Sequence, residues 1–159
     1  MSNPNLKNFT TSISASQSIS EIERFLLNFG ARRFMKNTDD NKQISEIMFT
    51  LKIGGNETPF KLPANVEKVA QYLANEYNRT HSRKTKSKED FLDQASRVAW
   101  RIIKDWVHAQ LSIIATGMVT IEQVFLPYVY DHQTGSTLAE KVLNGKMKNL
   151  LPLFQSDVD

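Results

Sequence analysis

The sequence predicts an α+β fold: a small three-stranded antiparallel sheet flanked by helices, followed by a helical C-terminal half with one long helix. On both sides of residues 31–62, apolar residues recur every three or four positions, as in helices packed on a core. Within that stretch they alternate with polar residues, as in strands. A length of 159 residues without a clear linker predicts a single α+β domain at 9–154, between a flexible tail at 1–8 and an acidic tail at 155–159.

The first helix is predicted at residues 18–29. Ser18 and Glu21 fit a capping box, in which each side chain bonds a free backbone N–H of the first turn. Gly30 is typical of the position that follows a helix end. Before this helix, the alternation over residues 9–15 permits a short edge strand.

Three strands are predicted at 31–35, 44–53 and 58–62. The second has one apolar face, formed by Ile47, Phe49, Leu51 and Ile53. Gly54-Gly55-Asn56 predicts a hairpin turn, because these residues adopt positive φ at little cost. Pro59 favours an edge position for the third strand, since proline has no N–H to donate.

Helices are predicted next at 65–78 and 89–115. A further helix at 121–130 must kink or end at Pro127. A turn at 131–136 and a short helix at 137–143 follow. The remaining apolar residues are expected to dock on the core: Leu150, Leu151, Leu153 and Phe154.

The helix at 89–115 has a divided surface. Two apolar stripes run along it, and both contain a tryptophan, Trp100 in one and Trp106 in the other. We predict that both are largely buried; a stacking platform for nucleic-acid bases is the alternative. The remaining face carries a basic ridge, formed by Arg97, Arg101 and Lys104.

Positive charge is concentrated just before this helix. The net charge is only +3, but Arg79–Lys88 holds two Arg, three Lys and a His without an acidic residue. Such a basic loop can donate to phosphates without reading a base sequence. The alternative is a solvated loop that keeps the protein soluble. The candidate nucleic-acid-binding residues are those of the loop and the ridge: Arg79, Arg83, Lys84, Lys86, Lys88, Arg97, Arg101 and Lys104.

The residue types argue against catalysis and against a metal site. There is no Cys, which excludes disulfides and thiolate ligands. The three His lie in separate elements without metal-ligand spacing. Asp105, His108 and Ser112 share a helix, but a mid-helix serine lacks the exposed turn and oxyanion hole of a nucleophile. We therefore expect no cofactor, no metal and no enzymatic activity.

The chain also lacks an apolar run that would span a bilayer or form a signal peptide. This predicts a cytoplasmic protein without a membrane partner.

Several strings together resemble a family of small uncharacterised proteins carried by bacteriophages and other bacterial mobile elements. The resemblance covers roughly residues 12–153 and implies a bacterial or phage cytoplasmic setting. Its strings are Ser18-Ile19-Ser20-Glu21-Ile22, Gly30-Ala31, Phe60-Lys61-Leu62-Pro63, Ala99-Trp100-Arg101, Lys104-Asp105-Trp106, Ala109-Gln110-Leu111 and Phe125-Leu126-Pro127-Tyr128. The order of helix, antiparallel strands and helix is also similar to single-strand annealing proteins, as an analogy of fold alone.

The leading hypothesis from the sequence is a non-enzymatic accessory protein of a phage or mobile element that binds DNA or RNA through the basic loop. The alternative is a protein-interaction module, an inhibitor or adaptor acting on a host complex. Its contact surface would consist of Tyr128, Tyr130, Leu153 and Phe154. An enzyme whose site is assembled only by the fold is a third hypothesis.

Overall fold

A helix leads into a three-stranded antiparallel sheet in the computed structural model, which describes residues 6–145. The first half comprises α1 (Ala15–Phe29), β1 (Phe34–Thr38), β2 (Ile44–Ile53), β3 (Asn56–Pro63) and α2 (Val66–Thr80). A 3₁₀ turn at Lys88–Phe91 continues into α3 (Leu92–Ala115). Then follow α4 (Ile121–Phe125), a 3₁₀ turn at Leu126–Tyr128, the hairpin of β4 (Tyr130–Asp131) and β5 (Ser136–Thr137), and α5 (Leu138–Leu143). The predicted fold class is confirmed.

The sheet has the order β1-β2-β3, and its second hairpin is the predicted one. Gly54 and Gly55 have φ of 55° and 83°, and the strands pair from Ile53 with Asn56 onward. The first strand lies three residues later than the predicted 31–35. Ala31 completes the turn out of α1, and its N–H donates to Leu26 O over 2.9 Å. Arg32 and Arg33 already exchange backbone hydrogen bonds with Thr50 of β2, both over 3.2 Å, ahead of the regular strand.

Helix α1 begins before the predicted position, so the predicted capping box is wrong. Ser14 is the cap, and its Oγ accepts from the Gln17 N–H over 3.1 Å. Ser18 lies one turn inside the helix and is fully buried. The edge strand permitted over residues 9–15 is also not formed, because the chain turns there and the Thr11 N–H donates back to Asn8 O over 3.0 Å.

The core lies between the sheet and the helices α1, α2 and α3, all of which contribute buried residues to it. Trp100 is fully buried, as predicted, and its indole N–H donates to Ile44 O of β2 over 3.1 Å. Phe125 of α4 packs edge-on against Phe49 and Phe60 of the sheet, with both ring centroids at 5.8 Å. These contacts join the C-terminal helical half to the sheet.

Trp106 is less completely buried than Trp100 and packs at the margin of the core. Its ring meets the rings of Phe125 and Tyr128 edge-on at 5.9 and 5.6 Å. On the same side of α3, Ile102 and Ile113 are also only partly covered, whereas Ala95 and Ala99 are buried.

The hairpin after α4 returns to the open edge of the sheet. Val129 forms an antiparallel bridge with Phe60 of β3. Beside it, the Lys61 ammonium lies 3.6 Å from the carboxylates of both Glu46 and Glu140, and 5.3 Å from the centre of the Tyr130 ring. These contacts hold α5 on the sheet.

Candidate binding surfaces

The basic ridge of α3 faces other parts of the same chain. Arg101 Nη1 donates to Glu21 Oε2 of α1 over 3.0 Å, and Lys104 Nζ lies 3.9 Å from the same oxygen. Arg97 Nε donates to the carbonyl oxygen of Thr11 over 3.4 Å. The ridge therefore contributes to the packing of α3 on α1 and on the chain before it.

Asp105 lies at the centre of a small charged network beside the ridge. Its carboxylate pairs with Lys104, lies 2.8 Å from Lys7 Nζ, and accepts from Asn8 Nδ2 over 2.9 Å. Burial raises the pKa of Asp105, but the hydrogen bonds from Lys104, Lys7 and Asn8 and the charge of Lys104 outweigh it, so the pKa lies well below its usual range.

These contacts define an N-terminal strap, residues 6–13, that lies along α3. Leu6 and Phe9 pack on the core, and Gln94 of α3 donates to Phe9 O over 2.9 Å. Residues 6–8, which the sequence assigns to a tail, thus contact the domain.

The basic loop is held at its base by one asparagine. Asn78 Nδ2 donates to Lys86 O and Asn78 Oδ1 accepts from the Lys86 N–H, both over 2.8 Å. The Lys86 ammonium lies 4.7 Å from the centre of the Tyr77 ring and 5.7 Å from that of Phe91. Lys86 therefore closes the loop as well as adding charge to it.

The other loop cations divide into two groups. Arg79 pairs with Glu76 at 3.0 Å and Lys88 with Glu67 at 3.4 Å. Arg83 and Lys84 are exposed and make no ion pair within residues 6–145. The loop contacts α2 and the start of α3, whereas the ridge contacts α1 and the N-terminal strap, so the two predicted parts of the nucleic-acid surface have different neighbours.

The partly uncovered stripe of α3 lines an apolar groove. Helix α3 contributes Ala99, Ile102, Ile103 and Trp106. The opposite walls are Val69 and Tyr72 of α2 together with Leu6, Pro63 and Tyr128. Two adjoining depressions of about 360 and 310 Å³ make up the groove and share Pro63, Ile102 and Ile103. Lys68 of α2 and Asn65, the residue just before α2, lie at the rim.

Several residues of the groove are anchored in the fold. Trp106 is wedged against the rings of Phe125 and Tyr128, and Ala99 is buried between the helices. Leu62, next to Pro63, is a core residue of β3. A ligand would meet a preformed apolar surface, which lowers the entropy lost on binding.

The residues predicted to contact a partner protein do not form one surface in the described structure. Tyr128 lines the groove. Tyr130 lies outside it, under the Lys61 ammonium and edge-on to the His132 ring at 4.9 Å. Leu153 and Phe154 lie outside the described residues.

The helical Asp105, His108 and Ser112 do not form a hydrogen-bonded triad. Ser112 Oγ donates to the backbone oxygen of His108 over 2.8 Å, and the His108 ring stacks on Phe25 at 4.4 Å. Asp105 is bonded to lysines and an asparagine instead. Over residues 6–145, no group of three or more His, Asp or Glu side chains is arranged to hold a metal ion.

None of the helices described here is both long and apolar enough to cross a membrane. Comparison of the chain with protein-family models, curated proteins and solved structures finds no match.

Proposed function

We propose that the protein is a non-enzymatic protein-interaction module and that the apolar groove binds a short segment of a partner protein. The observation that carries this proposal is the incomplete cover over α3, which leaves Ile102, Ile103 and Trp106 in contact with solvent. Partly exposed apolar side chains that line a concave surface are typical of sites that bind apolar groups.

The groove defines the chemistry of its ligand. Its two depressions suit two or more large apolar side chains from one segment, as in the recognition of amphipathic helices and extended peptides by apolar grooves. Lys68, the charged residue that lines the groove, favours an acidic residue beside these anchors. The expected ligand is therefore a segment with leucine or phenylalanine anchors and a neighbouring Asp or Glu.

Selection from a displayed library of random dodecapeptides tests this proposal. Peptides enriched on the wild-type protein should carry two large apolar residues and an acid. Their affinity should fall at least about tenfold for Ile102→Arg, because the substitution removes an apolar contact and the bound anchors would desolvate the guanidinium. Leu27→Arg is the matched control, since Leu27 is an exposed apolar residue on α1 and does not line the groove. Failure to enrich such peptides, or equal binding to a folded Ile102→Arg variant, would contradict the proposal.

A second candidate is nucleic-acid binding through the basic loop alone. The observation that favours it is the exposure of Arg83 and Lys84 on a loop whose base is fixed by Asn78. Two such cations can bind phosphates of DNA or RNA without base specificity.

Replacing Arg83 and Lys84 together by Ala tests the second candidate. If both bind phosphates of double-stranded DNA, the slope of log affinity against log salt should become shallower by about 2, because each contact releases condensed counterions. Fluorescence anisotropy with labelled single- and double-stranded oligonucleotides over a salt series measures this. The control is Lys42→Ala with Lys52→Ala, which removes two exposed charges elsewhere. No binding at low salt, or the same salt dependence of affinity for both double variants, would contradict nucleic-acid binding by the loop.

The biological setting is part of the proposal as well. The resemblance supports a protein of a bacteriophage or mobile element that acts in the bacterial cytoplasm. In that setting, an interaction module would act as an inhibitor or adaptor of a host complex.

A further inference from the structure

We infer that residues 150–154 of this same chain occupy the apolar groove when no partner is bound, so that a partner must displace them. The inference rests on the proposed function, because it concerns the regulation of the same groove.

The path of the chain supports this occupant. Helix α5 packs against the 3₁₀ turn Leu126–Tyr128, and Tyr128 lines one end of the groove. The ion pair of Glu140 with Lys61 of β3 holds α5 in this position. Since α5 has only six residues, the chain leaves it within about 10 Å of the residues that contact this turn. The nine residues 146–154 can extend by about 30 Å, which is about the diameter of a small domain.

The chemistry of the segment matches the ligand expected for the groove. Leu150-Leu151-Pro152-Leu153-Phe154 has four large apolar side chains and no charge. Pro152 restricts the backbone, which reduces the conformational entropy lost on docking. The acidic Asp157 and Asp159 follow, and Lys68 at the rim is available to pair with them.

The two tryptophans provide the readout. Trp106 lines the groove, whereas Trp100 is buried and bonded to Ile44 O, so their indole N–H signals in a proton–nitrogen NMR spectrum report on different places. In the full chain, Leu153→Ser with Phe154→Ser should shift the Trp106 signal and leave that of Trp100 in place. Leu143→Ser is the matched control, because Leu143 is 84% exposed on α5 and lies outside the segment.

A peptide of residues 148–159 added in trans completes the experiment. It should bind the double-serine variant at least about tenfold more tightly than the wild type, whose groove is already filled. Adding Ile102→Arg to that variant should abolish the binding. An unchanged Trp106 signal together with no peptide binding to the double-serine variant would overturn the inference. A wild-type Trp106 signal that moves on dilution would also overturn it, because the occupant would then be a second copy.

The results that would refute the inference differ from those that would refute the proposed function. Library peptides that bind while the 148–159 peptide does not would support the proposed function and refute the inference. The selection is repeated on the double-serine variant, whose groove the inference leaves open. Binding of the 148–159 peptide to that variant without any library ligand would support docking of the segment and refute the binding of partner segments.

Discussion

Replacing Trp100 by Ala is expected to lower the free energy of unfolding by about 3–5 kcal/mol. The side chain is fully buried between α3 and the sheet, so its removal leaves a cavity. It also leaves Ile44 O without the indole donor that it accepts from at 3.1 Å. Because Ile44 begins β2, this bond helps to set the height of α3 over the sheet. Urea denaturation followed by circular dichroism measures the loss.

Trp106→Ala is the comparison. Trp106 is half-buried and makes edge-on contacts with Phe125 and Tyr128, so its truncation should cost about half as much. Equal losses for the two variants, or a loss under about 1 kcal/mol for Trp100→Ala, would contradict the packing described for α3.

Replacing Asp105 by Asn is expected to lower the free energy of unfolding by about 2 kcal/mol at neutral pH. The side chain is 22% exposed, and its negative charge offsets the charge of Lys104, whose side chain is 11% exposed. It also anchors Lys7 and Asn8 of the N-terminal strap. Removing the charge weakens all three contacts together.

The pH dependence provides a further check on Asp105. Because the fold lowers the pKa of Asp105, the stabilisation is fully present above the unfolded-state value of about 4. It is lost as the pH falls through the lower folded-state pKa. The difference between wild type and Asp105→Asn should thus be constant above about pH 4 and shrink in stronger acid. Lys7→Met is the control, since Lys7 is 68% exposed and its removal should cost less than about 1 kcal/mol. A difference that grows on acidification would rule out this explanation.

The fold class was predictable because it depends on short-range periodicity. The alternation in β2 and the turn at Gly54-Gly55 specify a hairpin wherever it lies in the molecule. The start of α1 was not predictable from the sequence, because Ser14 and Ser18 can both cap a helix. The choice is made by long-range packing, since Ser18 is buried and Glu21 bonds Arg101 of α3.

For the candidate surfaces, too, the sequence predicts which residues share a face of a helix but not which elements cover that face. Helical spacing correctly placed Arg97, Arg101 and Lys104 on one face of α3. The spacing does not show which element covers that face. The groove was missed for the converse reason. Ile102 and Trp106 have the spacing of core residues, and no local pattern indicates that the neighbouring elements stop short of them.

The N-terminal strap has a consequence for how the chain folds during synthesis. Asn8 bonds to Asp105, which is 97 residues later in the sequence. At about 5–20 residues per second, a ribosome needs about 5–20 s to make the intervening chain. Until then the strap lacks its hydrogen-bond partners on α3, and α1 lacks the Arg101 partner of Glu21. Such non-local contacts slow folding, so the strap should close last and should be the first part to open to proteases.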